Sequence, residues 1–166
     1  MASFDSLGLR EEILRSLQEL GWEQPTPVQE KAIPHLLNSE NDVVVLAQTG
    51  TGKTGAFGLP LLMDIEPGER CVQALVLAPT RELCVQITGD LERFAQHLPG
   101  VKPVAVYGGA SIRDQMRAIS RGANIVVATP GRLLDLLGRQ AVDLGGVQTV
   151  VLDEADEMLN MGFQED

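Results

Sequence analysis

The sequence of 166 residues has few cysteines and no long uninterrupted apolar run. Its two cysteines, Cys71 and Cys84, lie far apart without a CxxC pattern, which argues against a disulfide framework or a thiolate-bound metal. We therefore expect both to be reduced thiols in the core. Nowhere do roughly 18 apolar residues run together, and the N-terminus lacks a basic segment followed by an apolar one. Neither a membrane span nor a signal peptide is predicted, and the expected compartment is the cytoplasm.

Basic residues are scarce relative to acidic ones. There are 13 Lys and Arg against 23 Asp and Glu, and the formal net charge is −10. This balance excludes a generally basic nucleic-acid binder, although a compact basic face remains compatible with it. No internal repeat or low-complexity tract occurs, and the length fits one globular domain.

Two helices are predicted before residue 40. Apolar residues from Ile13 to Leu20 recur at helical spacing and stop at Gly21, which suits the position after a helix end. In the second helix, Thr26 is placed as N-cap, Pro27 follows it, and Gln29 stands at the third position. That spacing predicts a capping box.

From residue 42 onward, apolar runs alternate with helical patterns. The five runs are DVVVLA, VQALVLAP, KPVAVYGG, ANIVVATP and VQTVVLD. Such alternation predicts βαβ units, and the nearly continuous Val, Ile and Leu content predicts a parallel sheet with helices on both faces. The predicted fold class is α/β. Ligands of such sheets bind at the carboxyl ends of the strands.

The segment AQTGTGKT, residues 47–54, is typical of a phosphate-binding loop because it follows an apolar run and opens a helical pattern. Glycines at such positions let backbone N–H groups turn toward phosphate oxygens. Lys53 adds charge for the β- and γ-phosphates, and the Thr54 hydroxyl is placed to bind Mg²⁺. The first position, Ala47, departs from the usual glycine. A plain glycine-rich turn is the alternative, but it leaves the Lys-Thr pair unexplained. The phosphate-contacting residues are predicted to be Gln48, Thr49, Gly50, Thr51, Gly52, Lys53 and Thr54.

Three carboxylates fall within four positions, 153–156, in the stretch TVVLDEADEML. Asp153 ends an apolar run, as a second Mg²⁺-organising carboxylate should, and Glu154 is suited to polarise a water that attacks the γ-phosphate. The alternative is that Asp153, Glu154 and Asp156 occupy a first helical turn, where acidic residues suit the helix dipole. The preceding phosphate loop favours the catalytic interpretation.

Taken together, these motifs closely resemble the N-terminal, RecA-like lobe of a DEAD-box RNA helicase. The resemblance covers the whole chain, and its motifs follow in the family's order. They are Phe4, GWEQPTPVQ at 21–29, AQTGTGKT, PTREL at 79–83, Gly108-Gly109, TPGR at 129–132 and DEAD at 153–156. The residues around the DEAD motif are most similar to those of bacterial members of the family.

The resemblance implies residue roles that spacing alone does not supply. It implies that Gln29 hydrogen-bonds the adenine edge and that Phe4 stacks on the base, so that ATP is preferred over GTP. The alternatives are a capping role for Gln29 and a hydrophobic anchoring role for Phe4. Each alternative is compatible with adenine contact. Trp22 is expected to pack. The same resemblance implies sequence-independent contacts to the backbone of single-stranded RNA from Thr80, Arg81, Gly109, Thr129 and Arg132. Helix capping by Thr80, ion pairing by the arginines and a plain Gly-Gly turn are the alternatives.

The predicted function is therefore ATP binding and RNA-dependent ATP hydrolysis that drives RNA unwinding, with ATP and Mg²⁺ as cofactors and Lys53, Asp153 and Glu154 as the catalytic residues. Residues 1–166 would form the N-terminal RecA-like domain, with the second lobe absent from this chain. Two other hypotheses are a nucleotide-dependent RNA-binding module without turnover, and a P-loop NTPase that acts on DNA or protein.

No Ser-Ala-Thr motif occurs in the sequence. In proteins like this one, the strand leading to that motif lies between the phosphate-loop strand and the strand ending at Asp153. We therefore expect an incomplete domain with a gap in its sheet. Such a chain would be marginally stable, be completed by a partner strand, or pair the two flanking strands directly.

Overall fold

The computed structural model describes residues 3–162, which fall into two compact units. The first unit runs to Asp64 and includes Asp90–Pro99; the second consists of Ile65–Gly89 and the residues from Gly100 onward. The boundary passes through one helix, α4 (Arg81–Phe94), so that residues after Gly89 belong to the first unit.

Helices dominate the described part of the first unit. Besides the end of α4, its elements are a short 3-10 helix (Phe4–Leu7), α1 (Glu11–Glu19), α2 (Pro27–Asn38) and α3 (Lys53–Met63). The predicted end of the first helix is confirmed, because Gly21 adopts a left-handed φ of 73° just after it. The predicted capping box is confirmed as well. The Thr26 N–H donates to Gln29 Oε1 at 3.0 Å, and the Gln29 N–H donates to Thr26 Oγ1 at 3.5 Å.

A tight apolar core holds the first unit together. Ile33 of α2 and Leu59 of α3 are fully buried, as is Leu91 near the end of α4. Gly58 permits close approach here, since a Cβ at that position would lie 3.1 Å from Leu91 Cδ2. The helices of this unit therefore meet through small and branched apolar residues, as dense packing requires.

The second unit contains a four-stranded parallel sheet in the order β2-β3-β1-β4. Its strands are β1 (Ala74–Leu77), β2 (Pro103–Val106), β3 (Ile125–Ala128) and β4 (Thr149–Leu152). Its helices, besides the start of α4, are α5 (Ile112–Ser120), α6 (Pro130–Gly138) and α7 (Ala155–Asn160). Central β1 pairs with two strands in register, so that Leu75 lies opposite both Val126 and Val150. The predicted parallel α/β architecture is confirmed.

The core of the second unit lies between this sheet and its helices. Leu75 and Val126 on the strands pack with Ile119 of α5 and Leu136 of α6. β4 is different because it is an edge strand, and its side chains alternate between half-buried and exposed. Val150 and Leu152 are 58% and 56% exposed. One side of β4 is therefore without a strand neighbour in the described sheet.

The predicted strand DVVVLA is wrong for this structure. Residues 42–48 belong to no described helix or strand, and Val44 and Leu46 are 88% and 94% exposed. The physical reason is that an apolar run becomes a strand only when a neighbour takes its backbone hydrogen bonds. The described sheet consists of four strands, and residues 42–48 are not part of it.

The two cysteines differ in their environment. Cys84 on α4 is fully buried, and burial raises the pKa of its thiol to about 12. Cys71 is only half-buried, so the prediction of two core thiols is correct for Cys84 and wrong for Cys71. Both are free thiols. Within residues 3–162, no helix is both long and apolar enough to cross a membrane.

Candidate functional site

The predicted phosphate loop precedes and opens helix α3 in the first unit. Gly50 and Gly52 have φ angles of 77° and 88°, in the left-handed region that glycine enters without steric cost. Gly52 is the N-cap of α3, and Lys53 and Thr54 are its first two residues. The N-terminus of a helix directs unpaired N–H groups and positive potential outward. Two glycines in the left-handed region therefore lead directly into the N-terminus of α3.

Gln29 joins the capping box of α2 to this loop. Its Nε2 donates to the Gly52 carbonyl oxygen at 3.0 Å, while its Oε1 accepts from the Thr26 N–H. The side chain is 1% exposed. A Cβ on Gly52 would lie only 2.5 Å from Gln29 Nε2, so glycine is needed there for space as well as for φ. The capping role of Gln29 is observed, and its adenine contact stays a prediction.

Phe4 lies in an aromatic cluster of the first unit. Its ring centroid is 6.1 Å from that of Trp22, which in turn makes an edge-on contact at 5.2 Å with Phe94. Phe4 is 4% exposed, which fits its anchoring role, and Trp22 packs as expected. A cavity of about 350 Å³ borders Phe4 and Trp22, but Gln29 is not in its lining. This cavity therefore contains one of the two predicted adenine contacts, Phe4.

Asp153 and Glu154 follow β4 in the second unit. The Asp153 N–H donates to the Leu77 carbonyl oxygen at 2.9 Å, which fixes the residue at the end of the sheet. Asp153 Oδ1 accepts from the Glu154 N–H at 3.1 Å. Glu154 is the N-cap of α7 with a φ of 51°, and only one other non-glycine residue described, Gln140, has a positive φ. Backbone strain of this kind concentrates at functional positions.

The helix-dipole alternative for these carboxylates fits their positions at the start of α7. Asp156 lies in the first turn, where it suits the helix dipole. Glu154 is the N-cap and makes no side-chain capping hydrogen bond, so its carboxylate is at the positive end of the dipole without being used as a cap. The dipole alternative and the catalytic interpretation of Glu154 are therefore compatible.

Arg81, predicted to contact RNA, lies over an aromatic ring. Its guanidinium carbon is 5.2 Å from the centroid of Tyr107, a cation–π contact. Gly109 adjoins the same guanidinium, because a Cβ at that position would lie 3.8 Å from Arg81 Nη1. Gly109 has a φ of 81°, so it makes the turn after β2 in a left-handed conformation. The structure thus brings Arg81 and Gly109 together.

Arg132 lies on α6 and holds the turn after β2. Its Nη1 donates to the Ala110 carbonyl oxygen at 3.1 Å and to Gln115 Oε1 at 2.8 Å. Gln115, on α5, is 7% exposed and donates from Nε2 to the Tyr107 carbonyl oxygen at 3.1 Å. Three of the predicted RNA contacts, Arg81, Gly109 and Arg132, therefore belong to one connected set of residues.

The two threonines of the predicted RNA site differ in how their hydroxyls are used. Thr80 Oγ1 accepts from the Leu83 N–H at 3.2 Å, so Thr80 caps α4, as the capping alternative predicted. Thr129 is the N-cap of α6 but makes no side-chain capping bond, and its N–H donates to Val106 O at 3.0 Å. The Thr129 hydroxyl is therefore not engaged in capping.

Sequence reasoning missed Tyr107 and Gln115. Tyr107 directly precedes Gly108-Gly109, and its position beside a glycine pair was the available signal. Gln115 looked like one more polar residue of an amphipathic helix. Nothing in a single sequence distinguishes a buried glutamine on such a helix from an exposed one.

No cluster of three or more His, Cys, Asp or Glu side chains able to hold a metal occurs within residues 3–162. The two predicted Mg²⁺ ligands lie in different units, Thr54 in the first and Asp153 in the second.

Comparison with known proteins gives a consistent family. A sequence profile described as DEAD/DEAH box helicase matches residues 26–166. The ATP-dependent RNA helicase DeaD of Escherichia coli strain K12 is 54% identical over 164 residues, which are 99% of this chain and 26% of that protein. The chain thus spans about a quarter of that relative.

Solved structures show the same fold. The crystal structure of a DEAD box protein from Methanococcus jannaschii superposes with a TM-score of 0.92 at 42% identity, covering 98% of this chain and 44% of that one. A Saccharomyces cerevisiae Dbp5 variant bound to RNA and ADP BeF3 gives a TM-score of 0.88 at 33% identity, over 98% and 40% of the two chains. The chain therefore belongs to the DEAD/DEAH box helicase family and forms part of its RecA-like fold.

Proposed function

We propose that this chain is the ATP- and RNA-binding N-terminal lobe of an ATP-dependent RNA helicase. The observation that carries the proposal is the loop before α3, where two glycines with positive φ lead into Lys53 and Thr54. The name of the relative DeaD, and the RNA and nucleotide bound by the Dbp5 variant, support the same assignment.

Lys53, with the backbone from Gln48 to Gly52, would bind the triphosphate. Gly50 and Gly52 support such binding because they have no Cβ and adopt positive φ angles, which lets backbone N–H groups turn toward phosphate oxygens. Lys53 contributes a point charge near the β- and γ-phosphates, where it acts in the ground state. Thr54 and Asp153 would supply hard oxygen ligands of the kind that Mg²⁺ prefers, since Mg²⁺ commonly keeps several waters beside one or two carboxylates. Bound Mg²⁺ would neutralise charge on the phosphates.

Glu154 would hold the attacking water and accept its proton. Support comes from its positive φ of 51°, which is unfavourable for a side-chain-bearing residue, and from the absence of a capping bond. Asp153 positions Glu154 by accepting its N–H. A carboxylate at this place acts on the step of hydrolysis rather than on binding.

Phe4 and Gln29 would recognise adenine, so that ATP is preferred over GTP. Gln29 uses one Nε2 hydrogen on Gly52 and one Oε1 lone pair on Thr26, which leaves a second donor and a second acceptor on the amide. A free donor-acceptor pair matches the adenine edge and mismatches guanine.

Single-stranded RNA would bind at the carboxyl-end turns of the second unit. The residues are Thr80, Arg81, Gly109, Thr129 and Arg132. Arginine forks and backbone N–H groups at turns suit phosphate oxygens, and such contacts carry no sequence information. The position of Arg81 and Gly109 side by side supports one phosphate site. A second RecA-like lobe as partner, and a cytoplasmic location, are further parts of this proposal.

Two substitutions test the assigned roles. Lys53→Ala should weaken ATP binding, because it removes an interaction made before the reaction. Glu154→Gln should leave ATP affinity near that of the wild type and, with a second lobe present, lower the hydrolysis rate by about 100-fold or more. Fluorescent-nucleotide titration and phosphate release measure the two quantities. Equal reductions of ATP affinity in both variants would contradict the assignment.

Phosphate release also separates the competing functions. The helicase proposal predicts release that single-stranded RNA stimulates, in the presence of a second lobe, more than single-stranded DNA does. Equal stimulation by DNA would favour an NTPase with another substrate. RNA binding with no turnover even with the second lobe would favour a binding module.

A further inference from the structure

Four residues of the second unit form a continuous line of interactions that crosses three helices and a turn. Arg132 of α6 donates to Gln115 of α5, and Gln115 donates to the backbone of Tyr107 after β2. The Tyr107 ring in turn lies under the guanidinium of Arg81, at the start of α4. The two arginines at the ends of this line are the residues proposed to meet RNA phosphates.

Gln115 lies at the centre of this line, where one side chain must both accept and donate a hydrogen bond. Its amide accepts from Arg132 Nη1 at 2.8 Å and donates to Tyr107 O at 3.1 Å, so both ends of the group are in use. A carboxylate at this position has no donor for the carbonyl, and an aliphatic side chain satisfies neither partner. The residue is also 7% exposed, and a buried arginine N–H or carbonyl oxygen that loses its partner is costly.

Tyr107 contributes through two separate groups. Its backbone carbonyl is fixed by Gln115, and its ring face holds the Arg81 guanidinium 5.2 Å from the centroid. Arg81 is an exposed, long side chain that would otherwise sample many rotamers. A guanidinium stacked on an aromatic face keeps its N–H groups in plane and available at the rim.

Arg132 retains donors for a ligand despite its internal bonds. Its hydrogen bonds to Ala110 and Gln115 both use Nη1, and a guanidinium has five N–H groups, so those on Nε and Nη2 are additional. The bond to Ala110 O also holds the turn that contains Gly109. Arg132 is thus anchored at one nitrogen and able to meet a phosphate with the others.

We propose that Gln115 and Tyr107 are positioning residues that hold Arg81, Gly109 and Arg132 as one preorganised site for the RNA backbone. The inference rests on the proposed function, because it takes the ligand to be single-stranded RNA. It adds two residues that touch no ligand and act through the arginines. Preorganised donors lose less conformational entropy on binding than free ones do.

The test compares two glutamines that match in burial. Gln73, like Gln115, is 7% exposed, lies in the second unit and makes two amide hydrogen bonds, both to the backbone of Glu66. Gln115→Leu and Gln73→Leu should therefore lower the melting temperature to a similar extent. Only Gln115→Leu should weaken binding of a fluorescein-labelled poly(U) strand, by about tenfold, the size of one charge-assisted hydrogen bond.

Salt dependence provides a readout that a general drop in stability does not change. For single strands, the slope of log affinity against log salt decreases by about 0.7 for each phosphate that the protein no longer neutralises. Gln115→Leu should reduce the slope by about that amount, and Gln73→Leu should keep the wild-type slope. Tyr107→Leu should likewise weaken binding and lower the slope, whereas Tyr107→Phe, which restores the ring, should restore both.

Specific outcomes overturn the inference. It is wrong if the wild-type chain binds poly(U) and Gln115→Leu keeps the same affinity and slope, or if Gln73→Leu weakens binding as much as Gln115→Leu does. If Gln115→Leu does not fold, the Tyr107 pair decides: equal binding by the Leu and Phe variants contradicts it. A wild-type chain that fails to bind poly(U) at low salt contradicts the RNA site and the inference together, whereas the other outcomes leave the proposed function intact.

Discussion

The side-chain amide of Gln29 donates a hydrogen bond to the backbone carbonyl oxygen of Gly52, with Nε2 and O 3.0 Å apart. The same amide accepts from the N–H of Thr26. One buried side chain therefore connects the start of α2 with the phosphate loop. Substitutions at its two partners separate its part in folding from its part in nucleotide recognition.

Gln29→Ala should narrow the preference for ATP over GTP and also lower the melting temperature, because it removes both the adenine contact and half of the capping box. Thr26→Ala is the matched control. It removes the cap, at a cost of about 1 kcal/mol, and leaves the Gln29 amide in place. Competitive nucleotide titration and thermal melts of both variants measure the two effects. If Gln29→Ala keeps the wild-type ATP-to-GTP ratio, Gln29 serves only as a cap.

Gly52→Ala should destabilise the chain more than Gly50→Ala does. Both residues have positive φ, so alanine costs about 1–2 kcal/mol at either position. A Cβ at Gly52 also lies 2.5 Å from Gln29 Nε2 and 3.1 Å from Thr26 Oγ1, whereas a Cβ at Gly50 meets nothing within 4 Å. Denaturant unfolding of the two variants measures the difference. Equal destabilisation would mean that the contact between Gln29 and the loop is dispensable.

The buried thiol of Cys84 should make stability depend on alkaline pH. Burial raises its pKa from an ordinary value of 9.0 to about 12 in the folded chain. Between these values the folded state keeps the proton that the unfolded state has released, so the free energy of unfolding falls as the pH rises from about 9 to about 12. Cys84→Ala should lack this part of the pH dependence, as unfolding curves at pH 8 and above would measure.

Thiol labelling should distinguish the buried Cys84 from the half-buried Cys71. Cys71 is half-buried, and although partial burial and the Glu69 carboxylate raise its pKa, its sulfur is reachable. Cys71 should react with a thiol reagent in the folded chain, and Cys84 should react only on unfolding. Rapid labelling of two thiols per chain under native conditions would contradict the buried position of Cys84.

An added strand should stabilise the chain. β4 is an edge strand with Val150 and Leu152 more than half exposed, and the apolar residues 43–46 are not in the described sheet. Extending the sequence through a Ser-Ala-Thr strand of a relative should raise the melting temperature by several degrees and tighten ATP binding. Differential scanning calorimetry of both forms measures this. A cooperative, monomeric melt of the 166 residues at the temperature of the extended form would contradict the expectation.

Patterns that depend on neighbours in sequence were predicted well. The capping box at Thr26 and Gln29, the turn at Gly21 and all four strands of the described sheet follow from local spacing and apolar content. The segment at 43–46 has the same composition as those strands, yet a strand also needs a partner, which composition does not report. Long-range pairing is thus where the prediction failed.

The candidate site divides along the same line. Lys53, Thr54, Asp153 and Glu154 could be predicted as site residues because phosphate and metal chemistry fixes residue types at short spacing, and their roles stay predictions. Tyr107 and Gln115 were missed because their significance comes from residues far away in sequence, namely Arg81 and Arg132. The bond between Gln29 and Gly52 spans 23 positions and was equally invisible.

The left-handed backbone of Glu154 means that stability and the proposed catalytic role favour different residues at this position. A φ of 51° suits glycine, so Glu154→Gly would relieve local strain of about 1 kcal/mol. The same replacement would delete the carboxylate proposed to hold the water. A laboratory selection for heat resistance alone would therefore favour glycine here and yield variants that lack this carboxylate. Engineering of a more thermostable form of this chain should therefore retain Glu154 and introduce stabilising substitutions at other positions.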